Sequence, residues 1–170
     1  AAQRGVRLNT DAIDNSAGVN TSDLEVNIKI ALSGPVRAGK LTMDARNTFL
    51  AQMTDEVAQL VLRNNYQQTL AISLAQRRGL EDLGFQQRLM QTLEVRGELD
   101  RAVEFLPDEV AIAERRKRNL GLTRPELAVV LSMSKLALQE AAEDLKLADD
   151  RVVQQELPEA FPKPARPSPI

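Results

Sequence analysis

The feature that most limits how this chain can fold is its shortage of aromatic side chains. Only four Phe and one Tyr occur among 170 residues, and there is no Trp. A chain of this length can bury a substantial core, so that core must be built from Leu, Val, Ile, Ala and Met. Because β-sandwiches concentrate aromatic and β-branched residues, an aliphatic core favours helices packed on helices. The composition therefore predicts a mainly α fold.

Three zones divide the chain. Residues 1–21 are rich in Asn, Asp and Thr, and the apolar alternation at Val6 and Leu8 predicts a short strand followed by a loop. Residues 22–157 have the patterning of helices, and residues 158–170 contain five prolines, which predicts an extended tail. One stretch is ambiguous, since apolar residues alternate over 24–32 as in a strand. The Ser22–Glu25 pair has capping-box spacing, and we therefore expect a helix there.

Further helix boundaries follow from the spacing of capping residues. Thr123 and Glu126 form a second capping-box pattern, with Pro125 in the first turn. Thr42 and Thr54 are suitable N-caps for the segments that follow them. Gly121 occupies the position of a C-terminal capping glycine for the segment 107–120.

The absence of His and Cys excludes several functional classes. Ser-His-Asp and Cys-His nucleophile systems, structural zinc sites and disulfides all require one of these residues. No metal site is predicted. The formal charge of −2 argues against general nucleic-acid affinity, and no apolar run is long enough to cross a bilayer. With no signal-peptide pattern at Ala1, these features lead us to expect a cytoplasmic protein without a membrane or nucleic-acid partner.

Two short motifs have competing interpretations. The segment from Gly34 to Lys40 has the spacing of a phosphate-binding loop, but Leu41 stands where a hydroxyl should contact Mg²⁺. A helix–helix connection is the favoured interpretation. The basic run 115–118 is best explained as a solvated helix C-terminus, with an acidic-partner or nucleic-acid patch as the alternative.

Two polar segments also have more than one interpretation. The amides at 64, 65, 67 and 68 interrupt an apolar pattern, which indicates a hydrogen-bonded seam between helices or a helix break, with a substrate contact as the less favoured alternative. Residues 9–23 form the densest polar segment and lead into the predicted helix. This segment is typical of an anion-binding or cofactor-edge loop, or of a plain Asx-rich turn.

Four blocks of sequence resemble one family, in order and over about residues 5 to 160. They are NTDAIDNSAGVNTSDLEVNIKI, MTDEVAQLVLRNNYQQTLAIS, LDRAVEFLPDEVAIAERR and GLTRPELAVVLSMSKLAL. Together they resemble the large-subunit, NAD-specific bacterial glutamate dehydrogenases, in the stretch that follows the dinucleotide-binding fold. The resemblance implies that residues 1–21 are the C-terminal edge of the cofactor-binding domain. It also implies an enzyme that converts L-glutamate, NAD and water to 2-oxoglutarate, ammonium and NADH.

The resemblance also implies roles for individual residues. Glutamate dehydrogenases have an Asn-Ala-Gly-Gly-Val-like loop beside the nicotinamide, and residues 15–19 are similar to it. On this basis Asn15 and Ser16 are expected to contact the cofactor. Gly18, Val19 and Ser22 are expected to contact the substrate, Ser22 at its side-chain carboxylate. The same Ser22 hydroxyl is also the predicted helix cap, and the two roles compete.

Several family features have no match in this chain. The catalytic lysine, the proton-handling aspartate and the dinucleotide glycines lie upstream in the family, so no catalytic residue is assigned and the isolated chain is expected to be inactive. Thr21 and Leu24 stand where the family often has Cys and His. The expected partners of this chain are the upstream polypeptide and further copies in a homo-oligomer. Two alternatives stay open: an autonomous helical assembly module, and a nucleotide or nucleic-acid binder acting through Lys40 or 115–118.

Overall fold

The computed structural model describes residues 1–166, and every regular element among them is helical, which confirms the predicted mainly α fold. The α-helices are α1 (Asp11–Asp14), α2 (Ser16–Arg37), α3 (Met43–Gln52), α4 (Thr54–Arg78), α5 (Leu80–Val95), α6 (Glu109–Lys117), α7 (Arg124–Asp144) and α8 (Arg151–Glu156). Short 3-10 helices occupy Ala2–Arg4, Leu147–Asp149, Leu157–Ala160 and Lys163–Ala165. No helix in this described part is long and apolar enough to cross a membrane.

The chain divides into two compact units, with α4 contributing to both. The first unit comprises residues 1–14 and 67–145, and within it α7 packs against α1 and α5. Its buried cluster is aliphatic, as the composition predicts, and Leu83 and Met90 are completely inaccessible. The cluster members are Ile13, Ile72, Leu83, Met90, Leu93, Leu99, Leu106, Ile112, Leu122, Leu127, Ala128 and Val130.

The second unit comprises residues 15–66 and 146–170, described as far as 166. Within it α2 contacts α3, and the apolar side chains of Ile28, Met53 and Val61 are buried. Two short 3-10 helices lie in the predicted Pro-rich tail, and residues 167–170 of that tail are outside the described residues. A backbone N–H in the tail, that of Lys163, donates a 2.8 Å hydrogen bond to Glu56 in α4.

The first zone of the chain differs from the prediction. Residues 6–10 do not form the predicted strand. No strand occurs among residues 1–166, so these residues have no strand to pair with there. The loop predicted to follow that strand within residues 1–21 is wrong, because α1 and the first turns of α2 occupy most of residues 11–21. The prediction that 24–32 is helical is confirmed. Since α2 begins six residues before Ser22, Ser22 lies in its second turn and is not an N-cap.

Two of the predicted caps are confirmed. The Thr42 hydroxyl accepts a 3.2 Å hydrogen bond from the Ala45 N–H, and Thr123 and Glu126 form a capping box. Thr54 is the first residue of α4 instead of its cap, and its hydroxyl donates to the Ala51 carbonyl.

Gly121 does not cap a helix, because α6 ends at Lys117 and the left-handed residue after it is Asn119, with φ of 54°. Gly121 is instead required by a close approach of two backbones. A Cβ at this position would lie 2.7 Å from the carbonyl carbon of Gly79.

Candidate functional site

Four of the five predicted site residues lie along one side of the N-terminal end of α2. Asn15 immediately precedes the helix, and Gly18, Val19 and Ser22 follow at intervals that place them on one stripe. All four are exposed, Val19 to 56%. The helix therefore presents these side chains together, although the sequence alone predicted a loop.

Ser16 lies on a different side of α2 from this stripe. It is only 7% exposed, and its hydroxyl donates a hydrogen bond to Oδ1 of Asn65 in α4. The Asn65 amide nitrogen in turn donates to the Val61 carbonyl at 2.8 Å. Because α4 continues through this position, the predicted helix break is wrong. The alternative prediction, a hydrogen-bonded seam between helices, is confirmed.

The start of α2 follows α1 after the single residue Asn15. Asn15 has φ of −96° and ψ of 9°, and its side chain does not cap the helix. No acidic residue lies in the first turn of α2. The first N–H groups of a helix have no partner within the helix, and the helix dipole adds positive potential there. This end of α2 therefore favours negatively charged groups over positive ones.

Ser22 is one turn further along and is exposed. Its hydroxyl forms no hydrogen bond within residues 1–166, so it is available to a ligand. A Cβ added at Gly18 would meet nothing closer than the Asn15 side-chain oxygen, at 3.9 Å. The surface at Gly18 is thus open, and a ligand can approach the backbone closely at this position.

The exposed face of α2 continues with apolar side chains beyond Ser22. Val26 and Ile30 extend the stripe that contains Val19 and are 49% and 64% exposed. Ile28 lies on the opposite side of the helix and is buried. The polar stripe at the start of α2 therefore adjoins an exposed apolar one.

The segment from Gly34 to Lys40 forms a helix end. Helix α2 continues through Pro35 to Arg37, and three following N–H groups donate to carbonyls of its last turn. These are the amides of Ala38, Gly39 and Lys40. Because a phosphate loop needs such amides free, the phosphate-loop interpretation is wrong and the helix–helix connection is confirmed.

The basic run lies at the C-terminal end of α6, as predicted, and two of its four charges are in ion pairs. Arg115 forms two 2.6 Å hydrogen bonds to the Glu126 carboxylate, which raise the pKa of its guanidinium. Lys117 pairs with Glu114, and Arg116 donates to Gln87. Arg115 therefore stabilises the junction of α6 with α7, whereas Arg116 and Arg118 are exposed and form no ion pair within residues 1–166.

One feature escaped the sequence analysis. A cleft of about 690 Å³ in the first unit is lined by three arginines that are far apart in sequence, Arg7, Arg77 and Arg124. No local pattern connects these positions, so only the fold reveals that they share a cleft.

Two family profiles match parts of the chain. The profile described as bacterial NAD-glutamate dehydrogenase, catalytic domain, matches residues 1–75. The profile described as glutamate dehydrogenase, C-terminal, matches residues 119–167. The first match includes α1, α2 and the whole stripe of predicted site residues.

Curated relatives give the same family. An NAD-specific glutamate dehydrogenase of Pseudomonas aeruginosa is 51% identical over 154 residues, or 91% of this chain. Those of Halomonas elongata and Mycobacterium tuberculosis are 44% and 41% identical over 162 residues, or 95% of the chain. The chain spans about one tenth of the length of these relatives. It belongs to the family of bacterial NAD-specific glutamate dehydrogenases.

Proposed function

We propose that this chain forms one edge of the active site of an enzyme that oxidatively deaminates L-glutamate with NAD. The products are 2-oxoglutarate, ammonium and NADH. The observation that carries the proposal is the exposed stripe of Asn15, Gly18, Val19 and Ser22 at the start of α2, inside the segment that matches the catalytic-domain profile. The catalytic lysine and aspartate are supplied by the upstream polypeptide, so the 170 residues alone are inactive.

The substrate is a dicarboxylate, and the start of α2 suits its side-chain carboxylate. The Ser22 hydroxyl donates to that carboxylate, and the positive end of the α2 dipole stabilises its charge. Because Ser22 does not cap the helix, the two roles expected of its hydroxyl do not compete. Gly18 leaves room for the substrate beside the backbone, and Val19 contributes an apolar wall.

When NAD is bound, its nicotinamide ring supplies the carbon that accepts the hydride. Asn15 fits a contact with its nicotinamide end, since its amide is exposed and forms no hydrogen bond within residues 1–166. Ser16 fits less directly, because its hydroxyl is engaged by Asn65.

The remaining surfaces have roles in assembly. The exposed side chains of Val26 and Ile30 pack against the upstream part of the polypeptide, which removes apolar area from water. Residues 6–10 join the edge of the cofactor-binding domain, where a strand partner exists. The helical region 42–157 serves packing and assembly of a cytoplasmic homo-oligomer.

The test uses the full-length polypeptide that contains this chain. Replacing Ser22 with Ala is expected to raise the Michaelis constant for glutamate about tenfold, the value of one hydrogen bond to a charged group, with little change in that for NAD. Ser33 lies three turns further along the same side of α2, so Ser33→Ala is the matched control and leaves both constants unchanged. An unchanged glutamate constant in Ser22→Ala would show that the substrate role is wrong.

A second pair of variants tests the backbone approach at Gly18. Gly18→Ala fits the helix, and it is expected to stabilise the chain by about 0.5–1 kcal/mol through helix propensity while reducing glutamate oxidation. Gly34→Ala is a matched control in the same helix, because a Cβ there meets nothing within 4 Å and one at Gly18 meets only the Asn15 side-chain oxygen at 3.9 Å. It should add similar stability and leave activity unchanged. Equal activity in the two variants would remove Gly18 from the site.

A further inference from the structure

The arginine cleft introduced above is built from three separate segments of the first unit. Arg7 precedes α1, Arg77 lies near the end of α4, and Arg124 is the first residue of α7. Leu8 adds an apolar wall, and Gln76 and Ser73 add polar groups from α4. The cleft contains none of the residues assigned to glutamate or NAD.

The positive charge in this cleft is not balanced. Arg124 is intermediate in exposure and is held by neutral acceptors, the Ser73 hydroxyl at 2.8 Å and the Thr69 carbonyl at 3.3 Å. Arg7 and Arg77 form no hydrogen bond or ion pair within residues 1–166. Asp14 is the one carboxylate among the lining residues, and it accepts a 2.7 Å hydrogen bond from the Asn9 amide.

Several other arginines of the same unit pair with carboxylates. Arg101 contacts both Glu94 and Glu109, Arg115 contacts Glu126, and Arg78 contacts Asp82. Their charges are thereby neutralised inside the unit. The cleft is instead lined by three arginines and one aspartate, a charge balance that a bound anion would improve.

We propose that this cleft binds a small oxyanion with at least two negative charges, carried by phosphate or carboxylate oxygens. Guanidinium groups present planar forks of N–H donors that match both kinds of oxygen. Arg124 is oriented in advance by Ser73 and Thr69, so less conformational freedom is lost when it binds. Arg7 and Arg77 supply the remaining donors without first breaking an ion pair.

Isothermal titration calorimetry on the full-length polypeptide tests this proposal at low ionic strength. Pyrophosphate and succinate are the two probes, each titrated separately. The test variant is Arg7→Ala/Arg77→Ala, which leaves the hydrogen bonds of Arg124 in place. The matched control is Arg88→Ala, which removes an exposed cation from α5 outside the cleft. Circular dichroism verifies that both variants remain folded.

The expected result is binding of one probe, weakened at least tenfold in the double variant and unchanged in Arg88→Ala. The probe that binds identifies the chemistry, pyrophosphate for a phosphate compound and succinate for a dicarboxylate. The proposal is overturned if neither probe binds, if the double variant binds the probe as tightly as the wild type, or if Arg88→Ala weakens binding as much as the double variant. Glutamate oxidation is not the readout, so this result is independent of the role proposed for Ser22.

Discussion

Replacing Glu126 with Gln would remove the charge from the best-buried ion pair in the first unit. The Glu126 carboxylate accepts two hydrogen bonds of 2.6 Å from Arg115, one to each oxygen. It also accepts a 2.6 Å hydrogen bond from the N–H of Thr123, the N-cap residue of α7. The two charged side chains are 15% and 13% exposed. One carboxylate therefore joins the end of α6 to the start of α7.

The expected loss of stability depends on which buried groups each variant leaves without a partner. Breaking a buried pair by removing one partner costs about 3–5 kcal/mol, because the other charge stays buried. Glutamine retains an acceptor for the Thr123 N–H, and the residual exposure admits some water. We therefore expect Glu126→Gln to lower the free energy of unfolding by about 2–3 kcal/mol. Glu126→Ala also loses the cap and should cost about 1 kcal/mol more.

Urea unfolding followed by circular dichroism measures these differences. A double-mutant cycle with Arg115→Met isolates the interaction between the two side chains from the capping contribution. We expect a coupling energy of about 2 kcal/mol. Exposed ion pairs give about 0.2–1 kcal/mol, so a coupling below about 0.5 kcal/mol would refute the argument that burial makes this pair strong.

The same pair predicts how stability depends on pH. Burial alone would raise the pKa of Glu126, but the hydrogen bonds from Arg115 and Thr123 outweigh burial and lower it. The pKa of glutamate in an unfolded chain is about 4.3. Because the folded pKa is the lower one, the stabilisation is complete above that pH and is lost as the pH falls through the folded value. The difference between wild type and Glu126→Gln should shrink only in that acidic range.

Three other substitutions have definite expected effects on urea unfolding. Gly121→Ala forces a Cβ against the Gly79 backbone and should cost about 1–3 kcal/mol, so an unchanged midpoint would contradict the observed close approach. Thr42→Ala removes the cap of α3 and should cost about 1 kcal/mol, whereas Thr42→Ser should restore most of it. Arg101→Met leaves Glu94 without its 2.7 Å partner and should cost about 1–2 kcal/mol, with a smaller loss at acidic pH.

Features set by neighbouring residues were predictable from the sequence. The capping box at Thr123 depends on a residue three positions later, and the cap at Thr42 depends on a nearby amide. The aliphatic core followed from composition, because so few aromatic residues were available to fill it. These properties needed no knowledge of distant contacts.

Features set by distant contacts were not predictable. The segment before Ser22 is rich in residues that favour turns, yet most of it is helical, and tertiary packing commonly overrides such preferences. Here the hydrogen bond from Ser16 to Asn65, 49 residues away, helps to hold the early turns of α2. The approach of Gly121 to Gly79 and the arginine cleft likewise join residues that are far apart in sequence. The site residues were identified by family resemblance. That four of them lie on one side of a helix was seen only in the structure.

The helical start of α2 leads to a last prediction, about Ser16. On a loop, Ser16 could face the cofactor beside Asn15, but the helix turns its hydroxyl towards Asn65. Ser16→Ala in the full-length polypeptide should therefore cost about 1–2 kcal/mol of stability and leave the Michaelis constant for NAD unchanged. Asn65→Ala should lower stability similarly, because it removes the other half of the same bond. If Ser16→Ala instead raises the NAD constant while Asn65→Ala does not, the hydroxyl reaches the cofactor and the first turn of α2 must rearrange in the working enzyme.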